Sequence, residues 1–166
     1  GVQRRMSDSD DRVDLLKKKM WETDYLNPYY LYVSHNEESH EERKGIKDLF
    51  KNNIWALVDE TRVSYEDFLF RLKQSKFMIC PRGNAIDCHR NWEVLYMRRV
   101  PIMKRDPYLE ELFKDYPVLW VDDFAEITQK MLMDNYHLCE EAQNIILGQL
   151  SLPYYFHTTV HQALYA

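Results

Sequence analysis

The feature that most constrains this chain is an alternation repeated along its length. Short aromatic and β-branched runs recur at Tyr29–Val33, Ile54–Val58, Phe77–Cys80, Val100–Met103 and Val118–Val121, and each reads as a buried strand of four or five residues. Polar stretches with helical spacing separate them. Helices are expected over Glu41–Lys51, from Ser64 to Gln74, over Ile86–Met97, over Pro107–Lys114 and over Phe124–Met133, with a last one from Tyr136 to Leu150. Ser64 with Asp67 three residues on is a variant capping box, and Asp122-Asp123 caps the helix that follows them. Strands alternating with helices of this length predict an α/β fold: Rossmann-like, doubly wound, with a mainly parallel sheet of about five strands. Ligands of such folds sit beyond the carboxyl ends of the strands. The loops after Val33, Val58, Cys80, Met103 and Val121 are therefore where function is expected.

At 166 residues the chain suits one domain. Three segments are expected: a polar N-terminal stretch 1–28, with a helix from Asp11 to Trp21 capped by Ser7–Asp10; the Rossmann-like domain 29–150; and an aromatic tail 151–166. The apolar runs are far shorter than the ~20 residues a bilayer span requires, so no membrane span is expected. Three cysteines, Cys80, Cys88 and Cys139, make a disulfide framework a poor expectation and point to a reducing, cytoplasmic compartment. Cys80, Cys88 and His89 lack the paired short spacings of a zinc site, so two small buried thiols and no metal are expected.

The net charge of −5 argues against general nucleic-acid binding. It hides an asymmetry. Lys76 to Asp106 holds seven basic residues against three acidic, whereas Pro107 to Ala166 holds two against nine. A positive island in an acidic chain suits a small anionic ligand. Solvated surface charge is an equal reading for Arg98, Arg99, Lys104 and Arg105.

The strongest candidate for chemistry is the strand at Phe77–Cys80, the turn Pro81-Arg82-Gly83-Asn84 and the helix behind it. A glycine turn entering a helix presents backbone N–H groups and the positive end of the helix dipole to an anion. Around that helix Cys88, Trp92 and Leu95 fall within about 60° of one another, a stripe for packing on the sheet, with Arg90 and Glu93 roughly opposite. Such a pair suits a phosphate and a ribose diol. From spacing alone, an ordinary i,i+3 ion pair is the favoured reading. No G-x-G-x-x-G and no Walker lysine motif is present.

The stretch from Ser75 to Tyr96, SKFMICPRGNAIDCHRNWEVLY, continuing to Val100-Pro101-Ile102, resembles the signature of exostosin-like glycosyltransferases. Leu31-Tyr32-Val33-Ser34-His35-Asn36 with Glu41-Glu42-Arg43-Lys44 upstream, and Val121–Thr128 downstream, are similar to segments flanking that signature. The resemblance covers about residues 29–130. It implies the C-terminal, donor-binding half of a two-Rossmann (GT-B) enzyme that uses a nucleotide-diphosphate sugar and transfers it to a saccharide or other hydroxyl acceptor. It further implies that Arg82, Gly83, Asn84 and Arg90 face the diphosphate, that Glu93 binds the ribose, and that Asp87 and His89 support the turn. No cofactor or metal is implied beyond the donor itself, no catalytic base can be named, and a second Rossmann half is expected in cis or trans. A Golgi location follows if the chain is part of an anchored enzyme. Ala85 and Arg98 stand where the family has glycine, and Arg98 falls where a helix C-cap often takes φ > 0. Two alternatives stay open: an inactive nucleotide- or sugar-binding module, and an interaction domain using Tyr154, Tyr155, Phe156 and Tyr165.

Overall fold

A computed structural model describes residues 14–19 and 28–145. The remainder of the N-terminal segment, the end of the last expected helix and the aromatic tail lie outside the described residues. Five strands, β1 (Tyr29–Val33), β2 (Ala56–Val58), β3 (Ser75–Ile79), β4 (Val100–Lys104) and β5 (Leu119–Val121), form one all-parallel sheet in the order 2-1-3-4-5. This is one of the two common doubly wound orders. The chain first steps from β1 to β2, then reverses across β1 to β3 and continues outward, so the switch point lies between β1 and β3.

Among the described residues, the α-helices between and after the strands are α1 (Ile46–Phe50), α2 (Tyr65–Lys73), α3 (His89–Tyr96), α4 (Pro107–Leu112), α5 (Gln129–Asp134) and α6 (His137–Gln143). Right-handed crossovers require the reversal in strand order to change the face on which helices lie. The core divides accordingly. Tyr32, Met78 and Met103 point to one face and pack with residues of α2, α3 and α4; Leu16, from the helical residues 14–19, joins them. Leu31, Val33, Phe77, Ile79 and Ile102 point to the other, against α1, α5 and α6. With both faces covered, the central strands are apolar almost throughout, which is why they read as continuous runs in the sequence.

Several boundaries differ from the expected ones for identifiable reasons. Glu41–Lys51 is not one helix: a 3-10 turn at Glu41–Arg43 is separated from α1 by Gly45, whose φ of 75° is left-handed. β2 begins at Ala56 rather than Ile54, because a turn bond from Ala56 N–H to the Asn53 carbonyl closes residues 53–56 and leaves Ile54 94% exposed. Phe124–Met133 breaks into a 3-10 turn (Phe124–Glu126) and α5, since Ile127 runs extended to bury its side chain and Thr128 starts a new cap on Met131 N–H. The expected caps at Ser64 and Asp123 are formed, with Ser64 Oγ accepting from Asp67 N–H at 3.0 Å and Asp123 Oδ1 from Ala125 N–H at 2.8 Å.

The end of α3 carries a backbone outlier. Arg98 has φ 55°, the only positive φ at a non-glycine residue among those described. Arg99 N–H bonds the Val94 carbonyl and Arg98 N–H the Leu95 carbonyl, the 6→1 and 5→2 pair of a Schellman cap with Arg98 at the position that favours glycine. Ala85, the other departure from glycine, has no positive φ. Arg98→Gly is expected to stabilise the chain by about 1 kcal/mol, because a Cβ in the left-handed region costs about that much. Urea unfolding of the variant and its parent checks this.

Candidate functional site

The loops that follow β1 and β3 meet at the switch point, and one arginine ties them. Arg43 donates from Nε to the Arg82 carbonyl at 2.8 Å and from Nη2 to the Pro81 carbonyl at 3.1 Å, while Nη1 reaches the Asn36 carbonyl at 3.3 Å. Glu42 Oε1 accepts from Arg82 N–H at 3.3 Å. The turn is therefore fixed from the β1 side by adjacent residues of opposite charge. A Cβ on Gly83 would lie 3.0 Å from Arg43 Nη2 and 3.2 Å from Cys88 Sγ. Glycine is needed there for close approach; no left-handed φ is involved.

The turn is less open to an anion than its sequence suggests. Arg82 N–H is engaged by Glu42, and Gly83 N–H donates to the Ala85 carbonyl at 3.2 Å. Arg82 and Asn84 are exposed and Gly83 is buried. Asp87 lies half-buried and accepts the Trp92 indole N–H at 3.1 Å and 3.3 Å on its two oxygens. It thereby locks the loop onto α3. His89 is the first residue of α3, half-buried, behind Cys88, which makes no side-chain cap.

Arg90, in the first turn of α3, lies over the carboxyl ends of the central strands: its charge acts on Tyr32 of β1, on His35 in the next loop and on Cys80 at the end of β3. Its guanidinium sits 3.9 Å from the centroid of the Phe68 ring. Nε is 3.7 Å from Glu93 Oε2, a loose ion pair, and the Arg90 side chain keeps 29% of its exposure.

Glu93 departs from the expected arrangement. It is not on an open face opposite the packing stripe but buried, 2% exposed, and its Oε1 accepts the Tyr65 hydroxyl at 3.1 Å. The cause is the central place of α3, with Tyr65 and Phe68 of α2 on one side. On the other, the Trp92 ring lies 4.6 Å from that of Phe113. Residues Asn91 to Leu95 are consecutively buried, so the helix has a stripe much wider than the spacing of Cys88, Trp92 and Leu95 predicts.

Three contributors escaped the sequence reasoning: Tyr65, Phe68 and Asp59. The Ser64 cap already fixed the register of α2 and set Tyr65 and Phe68 three residues apart on one face, but nothing in the sequence indicated that this face meets Arg90. The Phe68 ring lies nearly parallel to those of Tyr32 and Tyr65, with centroids 5.9 Å from each. Beneath them Asp59 accepts the Tyr32 hydroxyl and, at 2.6 Å, Arg71 Nη1. Burial and the Asp59 carboxylate hold the Tyr32 phenol well above its ordinary range.

His35 flanks the same loop. Its Nε2–H donates to the Arg43 carbonyl at 3.1 Å, and burial, aided by the charges of Lys47, Arg43 and Arg90, lowers its pKa to about 4. A histidine held neutral in the native state binds fewer protons than in the unfolded chain between pH ~6.5 and ~4. Its contribution to stability is present above pH ~6.5 and is lost as pH falls through that window. Urea unfolding at pH 7 and pH 5 is expected to give a lower midpoint at pH 5, and His35→Gln to flatten that difference.

Among the described residues no group of three or more His, Cys, Asp or Glu is placed to hold a metal ion, and no helix is long and apolar enough to cross a membrane. Cys80 is buried, Cys88 and Cys139 are half-buried, and all three are free thiols. Fold and loops together define a doubly wound α/β protein with an arginine over the switch point of its sheet. The chain matches no protein-family model, and no curated protein matches it.

Proposed function

We propose that the chain is the donor-binding half of a nucleotide-sugar-dependent glycosyltransferase of the exostosin-like kind. The observation that carries this reading is the position of Arg90: on the first turn of α3, over the carboxyl ends of β1 and β3, where doubly wound folds bind their ligands. The diphosphate of the donor lies against the exposed Asn84 and against Arg90, with the start of α3 adding its dipole and Gly83 serving the close packing of the turn rather than contacting the donor. During transfer the acceptor oxygen bonds to the anomeric carbon while the bond from that carbon to the diphosphate breaks. The departing charge is neutralised by the Arg90 guanidinium. The ribose hydroxyls donate to Glu93, which Arg90 must uncover, so donor binding replaces the 3.7 Å ion pair rather than adding to it. A second Rossmann half, in cis or trans, supplies the acceptor site and the base that takes the acceptor proton.

The burial of Glu93 and its bond to Tyr65 favour a second reading, a binding module that holds a nucleotide and performs no transfer. Calorimetric titration with UDP, GDP and UDP-sugars tests the first step common to both. Micromolar to millimolar binding of one base over the others is expected. A folded chain that binds none of them overturns the donor-site reading.

A further inference from the structure

A basic cleft lies at the end of the sheet opposite Arg90, where β3 and β4 begin. Its volume is about 250 Å³, and its walls include Lys76, Arg98, Arg99, Tyr136, Glu140 and Gln143. The three cations have unequal surroundings. Arg99 is 3% exposed and donates to the carbonyls of Lys73 at 2.8 Å, Arg98 at 3.1 Å and Met97 at 3.3 Å, so it serves the carboxyl ends of α2 and α3. Lys76 reaches the cleft from β3, with Nζ 3.2 Å from the Tyr136 hydroxyl and 4.8 Å from the centre of its ring. Neither partner neutralises the ammonium. Arg98 Nε is buried and has no hydrogen-bond partner among the described residues. Glu140, the carboxylate on the wall, forms no ion pair with Lys76 or Arg98 among the described residues.

Two further observations show that this corner is held in place. Gln143 Nε2–H donates to the Arg98 carbonyl at 3.1 Å, fastening α6 to the end of α3. Arg98 also retains a left-handed backbone that glycine would adopt at lower cost, and strain of this kind persists where a side chain is needed.

We propose that the cleft binds a small phosphate or sulfate group between the Arg98 guanidinium and the Lys76 ammonium. A planar guanidinium matches two oxygens of such a group, and the ammonium supplies a point charge beside it. The volume is slightly below that of ordinary small-molecule pockets and suits one tetrahedral anion with little attached. The assignment is independent of the donor site, from which it is separated by the length of the strands.

The test is a titration of the full chain with inorganic phosphate and sulfate at low ionic strength, followed by NMR or calorimetry. The Arg90→Ala background is used so that the arginine at the switch point does not contribute. Saturable binding in the millimolar range is expected. Arg98→Gly, which should fold at least as well as the parent, is expected to weaken it by about 10-fold or more. Lys76→Gln should weaken it as well, and serves as the second variant. Absence of saturable binding, or affinity that both variants leave unchanged, overturns the proposal. Parallel titrations with a sugar phosphate and a sulfated sugar distinguish a free anion from an esterified one: tighter binding of an ester assigns the cleft to it, equal or weaker binding to the free ion, and either result upholds the site.

Discussion

Replacing Arg90 with alanine is expected to weaken nucleoside-diphosphate binding roughly 10- to 100-fold, the equivalent of losing a charge-assisted contact worth about 1.5–3 kcal/mol. The guanidinium is well placed for such an effect. Phe68 supports one face of it at 3.9 Å, while 29% exposure leaves it reachable from solvent. Arg90→Lys separates charge from shape: it retains a cation but neither the planar stack nor the two-pronged contact, and an intermediate loss is expected. The binding constant should also fall with added salt in the parent and less steeply in Arg90→Ala. Calorimetry on the three proteins, each checked for folding by circular dichroism, decides the matter. Unchanged affinity in Arg90→Ala would place the nucleotide away from α3 altogether.

The doubly wound sheet was legible because its evidence is local. Burial on both faces forces strands such as Phe77–Cys80 and Val100–Met103 to be apolar without interruption, and Ser64 and Asp123 declare the starts of their segments. Breaks inside helical stretches were harder to see. Gly45 looks tolerable within a helix until its φ is known, and Thr128 resembles an ordinary interior residue until Ile127 has somewhere to be buried. The site was legible in one dimension only. The turn, Arg90 and Glu93 stand out along the chain, yet the surroundings of Glu93 depend on Tyr65, which lies 28 positions away. Arg43, near the turn only in space, has the same character: it approaches over a sequence separation of 39 residues, and the need for glycine at position 83 arises from that approach. Arg98 is the exception, since the resemblance sets it where a C-cap glycine is expected, and its backbone is left-handed.

The support beneath the site should prove more costly to disturb than the site itself. Asp59→Ala is expected to lower stability by about 3 kcal/mol, and the midpoint of thermal unfolding by roughly 10 °C. The Asp59 side chain is 1% exposed and accepts from both the Tyr32 hydroxyl and Arg71. Its removal takes the carboxylate acceptor from a phenol hydroxyl inside the core, at about 1–3 kcal/mol, and releases an arginine whose side chain, 38% exposed, can rehydrate. Solvent access to Arg71 keeps the total at the lower end of what breaking a buried ion pair costs. Tyr32→Phe removes one bond and leaves the ion pair, so a loss of about 1 kcal/mol is expected. The two substitutions share a contact, and the double variant should therefore fall short of their sum. Binding provides the discriminating readout. Asp59 touches Tyr32, Tyr32 stacks on Phe68, and Phe68 carries the Arg90 guanidinium. Nucleotide affinity in a folded Asp59→Ala protein should thus drop only a few-fold, against the larger loss in Arg90→Ala. Equal losses in the two variants would mean that the Asp59 network contacts the ligand itself; a stability change below about 1 kcal/mol would mean that water replaces the carboxylate.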